Sequence, residues 1–398
     1  MDISIYFSQI DISSYHFQQS KIEKLGHIID SYNTDADFPV LNEEIDLAIF
    51  GVCEDRGSID NKGCDTAPYT IRENLYNLTL NNKKPVKIVD LGNVKTGETL
   101  SDTYIAIGEI VAFLLQKKII PIILGGSQDI TVGNYRGYEN LGQIINMFNV
   151  DSRIDLGEIE ENNDITSENY LTHIMCGEPN YLFNYTHVAY QTYFIDYKAL
   201  ETLEDLYFDC YRLGVIQDDI ECIEPLIRNA DMVTVDVSAI RSNYERRILG
   251  NDRRSPHGLY GEQLCQLCRY AGMSDKLTSI GFYEINSSVD NGYTSAIVAH
   301  AIWYFIDGYL WRKKDFPYVD TENYFKFVVS MNEGDREIIF YKSKKSERWW
   351  IEVPCSKDLK EKYKRHYLVP CSYQDYVIAS EKNRIPDRWF KAYNKMSL

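Results

Sequence analysis

The sequence predicts an α/β protein whose parallel sheet is covered by helices on both faces, doubly wound or barrel-like, followed by a small α+β unit. Three observations carry this. Short runs that are apolar throughout, such as LAIFGV (47–52) and IIPIILGG (119–126), recur along most of the chain. Strands of that kind are buried on both faces, as in parallel sheets, whereas half-exposed strands alternate. Amphipathic helical stretches separate the runs, which is the order of βαβ units. After about residue 312 the pattern changes to alternation.

Taken in order, the expected strands are 47–52, VKIVDLG (86–92), 119–126, IINMFNVD (144–151), YLFNYTHVAYQTYF (181–194, in one or two pieces), MVTVDVS (232–238) and LTSIGFYEI (277–285). Helical periodicity marks IAIGEIVAFLLQKK, IECIEPLIRNA, GEQLCQLCRYAGM and TSAIVAHAIWYFIDGYLW. Beyond residue 312, YFKFVVSM, REIIFYK and RWWIEV read as antiparallel strands, and SYQDYVIAS and IPDRWFKAYN as helical or irregular segments. The expected division is therefore a segment 1–45 packed on the core, a main domain 46–312 and an extension 313–398. Within that extension Trp349, Trp350, Trp389 and Phe390 fit the small unit's own core better than a partner surface, although aromatics of this kind also anchor interfaces.

Composition excludes several classes. The chain has 398 residues, 44% hydrophobic and 25% charged, which suits a globular protein with a sizeable core and not a disordered or fibrous one. Asp and Glu number 59 against 42 Lys and Arg, a formal net charge of −17 that opposes binding to nucleic acid or to an anionic membrane surface. No stretch of about 18 apolar residues is present, so no membrane span is expected. The N-terminus lacks the basic start and apolar core of a signal peptide, and nine scattered cysteines fit a reduced, cytoplasmic setting. The C-x-x-C of Cys265 and Cys268 lies in a helical pattern and reads as core. Tyr is abundant at 31 residues, and Tyr181, Tyr185, Tyr190 and Tyr193 fall together in one segment expected to line the pocket.

In parallel sheets the reactive groups sit just past the carboxyl ends of strands. Four strands here end in polar clusters: LGGSQD (124–129), NVDSRID (149–155), VDVSAIR (235–241) and YEINSSVD (283–290). Asp151, Asp155 and Asp236 can converge there. Clustered carboxylates need a hard cation, a paired base or a proton. A plain salt-bridge network at the sheet end accounts for them equally well. The glycine turn Gly125-Gly126-Ser127 lacks nucleotide-loop spacing, and Asp129 beside it disfavours phosphate.

From residue 46 to about 310 the order and spacing of five motifs resemble the ureohydrolase superfamily of arginase, agmatinase and formimidoylglutamase. These motifs are DRGSIDNKGCDTAPYTIREN (55–74), GGSQDITVG (125–133), DSRID (151–155), DVSAIR (236–241) and EINSSVDNGYTSA (284–296). The resemblance implies a three-layer α/β/α fold with a central, mostly parallel, arginase-like sheet, and leaves the extension uncovered. It also implies two Mn²⁺ ions held by four Asp and two His, with a bridging hydroxide attacking a guanidino or formimino carbon.

Carried over residue by residue, the first metal's set becomes Gln128, Asp151, Asp155 and Asp236, with Gln128 where the family has His. The second metal keeps Asp151 and Asp236, but its own His position is Arg153 and its own Asp position is Ser238. Arginine has only donors and stays protonated, so it cannot ligate a cation. Three carboxylates and Arg153 leave two negative charges, which one divalent ion neutralises. The expectation is at most one Mn, Mg or Ca ion, or none, with the Arg153 fork bonded to Asp151 and Asp236. Glu284 matches the family's residue for the substrate's cationic group. Cys176, in CGEP, stands at the proton-shuttle His, with His173 and His187 near enough in sequence to replace it.

Two functions follow. One is a divergent family member that no longer acts as a ureohydrolase and binds a ligand or partner. The other is a hydrolase of linear amidine C–N bonds working with one metal or none. The ligand expected is a small guanidino or formimino compound or another small molecule. A protein partner is assigned to the extension, with homo-oligomer assembly and no nucleic acid or membrane.

Overall fold

A computed structural model describes residues 2–81, 84–159, 164–242, 255–317, 322–331, 336–355 and 362–397. Ten strands form the main sheet: β1 (Phe7–Ser8), β2 (Asp30–Ser31), β3 (Leu47–Val52), β4 (Ile88–Val94), β5 (Ile120–Leu124), β6 (Ile145–Val150), β7 (Leu182–Tyr190), β8 (Asp209–Arg212), β9 (Met232–Asp236) and β10 (Ser279–Tyr283). The order is β1-β4-β3-β5-β10-β9-β6-β7-β8, with β2 on β4, and every pairing is parallel except β1 with β4.

Alternation along a single strand builds the layers. Leu47 and Ile49 enter one core with the helices Ala67–Tyr76, Gly261–Met273 and Tyr293–Leu310, while Ala48, Phe50 and Val52 enter a second under Leu100–Gln116. This is the three-layer α/β/α architecture that the sequence implied. Cys265 and Cys268 are buried in the first core, as read from their helical setting. Among the described residues no helix is long and apolar enough to cross a membrane.

Sequence reading missed β8, a four-residue edge strand in a segment without apolar continuity. The stretch 181–194 forms one strand, β7, followed by a short 3-10 turn.

The C-terminal unit is a four-stranded antiparallel sheet, β11 (Tyr324–Met331), β12 (Arg336–Ser343), β13 (Trp349–Glu352) and β14 (Leu368–Cys371), with helices Tyr373–Ser380 and Asp387–Ser397. Trp349 and Trp389 lie in its core and Trp350 in a smaller neighbouring cluster, while Phe390 is exposed. The unit is fastened to the amino-terminal ends of the parallel strands. Asp231, just before β9, accepts from Arg365 at 2.5 Å and pairs with Lys276 at 3.5 Å. Arg228 donates to the carbonyls of Trp349 and Cys371, and Phe183 stacks against His366 at 4.4 Å. Burial opposes ionisation of Asp231, but Lys276 and Arg365 outweigh it and hold the carboxyl below its usual range.

Candidate functional site

The opposite, carboxyl ends of β5, β6, β9 and β10 carry the polar cluster. Glycines make the approach possible. Gly126 has φ +78°, and a Cβ there would lie 2.8 Å from the Glu54 carbonyl. The chain can then turn so that the Gln128 N–H donates to Glu284 Oε1 at 2.9 Å. Glu284 itself sits at φ +61°, a conformation that costs a non-glycine residue energy and concentrates at functional sites. Its other oxygen accepts from Asn61 Nδ2 at 2.7 Å. Burial first, then the charge of Asp236, pushes the Glu284 carboxyl up to about 8.

Asp151 and Asp155 are buried side by side. Burial, together with the Asp155 carboxylate, drives Asp151 well above the ordinary carboxylate range. Asp151 Oδ1 accepts from Ser238 Oγ at 2.8 Å and from the Arg153 N–H at 2.9 Å, and Ser152 Oγ donates on to Ser238 Oγ at 2.9 Å. Asp236 accepts from the Ser238 N–H at 2.6 Å. The sequence-predicted residues Gln128, Asp151, Asp155, Asp236 and Glu284 thus end adjoining strands of one sheet edge.

Arg153 departs from expectation. Only its backbone N–H reaches Asp151. The guanidinium lies over the Phe194 ring, 4.3 Å from the centroid, and its Nε has no partner among the described residues. Stacking on an aromatic face retains the delocalised charge without requiring the fork to enter a crowded carboxylate cluster.

Of the candidate shuttle residues, His187 borders the group, its Nδ1 3.3 Å from Asn149 Nδ2. The helix Tyr170–Cys176 carries His173, which lies by the Asp164 backbone and the Arg136 charge, and burial lowers its pKa. Cys176 is exposed at the end of that helix. His187 is buried on β7 with Nδ1 2.8 Å from Tyr185 Oη, and burial pushes it down to about 3, so it stays neutral. Asp129 is held by Tyr104 and packed against Gly57, and burial raises it to about 6. Of the tyrosines grouped by sequence, Tyr185 lies beneath the cluster but Tyr181 precedes β7 at its far end, bonded through its N–H to Tyr135, and Tyr193 is exposed.

A polar floor went unnoticed in the sequence. Asn149 lies opposite His187 on β7 and Thr234 on β9, and Thr234 Oγ1 donates to Asn149 Oδ1 at 2.6 Å while Asn149 Nδ2 donates to Tyr185 Oη at 3.0 Å. Gln128 Nε2 reaches Tyr170 Oη at 3.2 Å above it. Three polar residues at one level of three buried strands were the available signal, because a sheet interior does not spend such positions on unpaired groups.

The donor set can be tested against a metal. Among the described residues no group of three or more His, Cys, Asp or Glu is arranged to hold an ion. At the two positions that the resemblance assigns to the second set alone, the arginine is turned onto Phe194 and the serine is bonded to Asp151. The oxygen donors that remain suit one hard divalent ion, and Gln128 Oε1 and Asp151 Oδ2 are buried without hydrogen-bond donors.

The family model of the arginase family matches residues 45–307. The formimidoylglutamase of Clostridium tetani is 23% identical over 278 residues, covering 65% of this chain and 81% of the relative. That of Lysinibacillus sphaericus is 24% identical, covering 64% and 82%. Among solved structures, Bacillus subtilis formimidoylglutamase aligns with a TM-score of 0.65 at 16% identity over 76% of this chain and 97% of that one. Trypanosoma cruzi formiminoglutamase, solved with Mn²⁺, gives 0.63 at 16% identity over 73% and 99%. Fold, motif order and this match agree, and the chain belongs to the arginase family.

Proposed function

We propose that this chain is a divergent arginase-family protein that has lost the ureohydrolase reaction and binds a small ligand at the strand ends. One observation carries the reading: Ser238 stands at an expected carboxylate ligand position and its hydroxyl occupies Asp151 Oδ1, the carboxylate that both metals would share. The state of Glu284 supports it. Both its oxygens already accept bonds from within the protein, so a substrate cation would have to displace Asn61 or the Gln128 N–H. The ligand class is a small, polar, guanidino- or formimino-like compound, matched to buried carboxyl groups. We assign a protein partner to the C-terminal unit, homo-oligomeric assembly and a reducing, cytoplasmic setting; the nine free cysteines are consistent with the last.

A second reading is favoured by the buried, donor-free Gln128 Oε1 and Asp151 Oδ2. In it the chain remains an amidine hydrolase with one divalent ion held by Gln128, Asp151, Asp155 and Asp236. Such an ion, when bound, acidifies water and polarises the amidine. The protein's own residues would then bind and orient: Glu284 accepting from the substrate's N–H groups, and Ser238 fixing Asp151.

The test is to purify the full chain without chelator, count bound metal and assay arginine, agmatine, guanidinobutyrate and formiminoglutamate. Zero or one ion per chain with blank assays is the expected result. One ion with turnover of any of these substrates establishes the second reading, and two Mn per chain overturns both.

A further inference from the structure

At the amino-terminal ends of β3, β5 and β10, away from the polar cluster, a cleft of about 980 Å³ opens between the main domain and the antiparallel sheet. Lys84, Lys118, Arg312, Lys314 and Lys345 line it, against two acids, Asp46 and Asp275. In a chain whose net charge is −17, this is a local reversal of sign.

The two acids accept hydrogen bonds from neutral donors and keep their negative charge, so the lining sets five cations against two anions. Asp46 accepts from Tyr309 Oη at 2.7 Å and from the Lys87 N–H at 2.9 Å. Asp275 accepts from the N–H groups of Lys314 and Asp315 at 3.1 and 3.0 Å. Arg312 spends its Nε and one terminal nitrogen on the carbonyls of Gly272 and Leu277, which fix the guanidinium without cancelling its charge. Among the described residues, Lys118, Lys314 and Lys345 pair with no carboxylate.

We propose that this cleft binds a small molecule carrying two or more phosphate groups. Five cations exceed what a monoanion can engage. Lysine ammonium groups are compact point charges suited to phosphate rather than to planar carboxylate recognition. Clefts of up to roughly 1,000 Å³ hold ligands of nucleotide size. Phe316 and Tyr324 line the same cleft and supply an apolar flank. The overall negative charge does not forbid the ligand, because at physiological salt charges more than about 8 Å away are largely screened.

Lys84, Lys118 and Arg312 come from the main domain, Lys314 from just past its last helix and Lys345 from the turn between β12 and β13, so an occupant bridges the two units. The proposal is independent of what the strand-end site does.

The experiment is calorimetric titration of the full chain, in buffer free of divalent ions, with tripolyphosphate, ATP, adenosine and citrate. The expected result is binding of tripolyphosphate and ATP that weakens with added salt, no binding of adenosine, and weaker binding of citrate. The K118E/K345E double variant changes two exposed side chains and should keep its melting temperature without ligand. Its affinity for tripolyphosphate should fall at least ten-fold. No heat with tripolyphosphate at about 1 mM, a constant that corresponds to only some 4 kcal/mol of binding, overturns the proposal. So does adenosine binding as tightly as ATP, or an affinity unchanged in a variant whose folding is intact.

Discussion

Ser238 Oγ donates to Asp151 Oδ1 across 2.8 Å, joining the ends of β9 and β6 with a neutral hydrogen bond. A carboxylate at position 238 would repel Asp151 unless a cation lay between them. The serine therefore stabilises an arrangement that needs less counter-charge.

Restoring the family ligands tests that relationship. The triple variant Q128H/R153H/S238D should bind close to two Mn per chain by elemental analysis, and the parent at most one. A folded triple variant that still binds no second ion would show that these positions are assigned wrongly.

Arg72 offers a stability test within the motif that first suggested the family. Its guanidinium is fully buried and donates to both oxygens of Asp90, to Asn93 Oδ1 and to the Gly92 carbonyl. R72M should cost about 3–5 kcal/mol in denaturant unfolding, because Asp90 is left as an uncompensated buried charge. D90N added to R72M should cost much less than either change alone, since the partners are coupled.

Acid should weaken the fold through its buried histidines. Burial, and then the charge of Lys276, holds His366 well below its usual value, and His187 is pushed to about 3. Each is neutral in the fold but takes a proton near 6.5 when unfolded. Stability is therefore complete above pH 6.5 and falls as pH drops toward the folded values. At pH 5 His187 accounts for about 2 kcal/mol of this, and His366 acts in the same direction. H366F should lower the wild-type difference in melting temperature between pH 7 and pH 5, leaving the part due to His187. An unchanged difference would remove His366 from this account.

Backbone conformation gives a matched pair. Gly126 and Gly142 both have positive φ, but a Cβ at Gly126 would strike the Glu54 carbonyl and Ile130, while one at Gly142 meets nothing within 4 Å. G142A should cost about 1 kcal/mol, the conformational penalty alone. G126A should cost at least about 2 kcal/mol more on steric grounds, and should disturb ligand or metal binding by shifting Gln128.

The parallel sheet was legible because LAIFGV and IIPIIL are apolar on both faces, and the polar strand ends followed from it. That Gln128, Asp151, Asp155, Asp236 and Glu284 gather at adjoining strand ends was legible as a resemblance in motif order. The direction of the Arg153 side chain was not, because spacing cannot say whether a guanidinium prefers carboxylates or the face of Phe194, a residue 41 positions away. Nor could the chain's pattern foresee β8 or β14, which are four residues each and take their strand form from neighbours.

Asp231 stands one residue before β9, and Asp236 closes that same strand. The acid's two cationic neighbours come from different units: Lys276 from the main domain and Arg365 from the C-terminal one. Cutting the chain near residue 312 would thus strip a guanidinium from a fully buried carboxylate and remove the His366 contact to the Ile144 carbonyl. The C-terminal segment is not a detachable passenger: the shortened protein should be poorly soluble, and the intact one should melt in a single cooperative step.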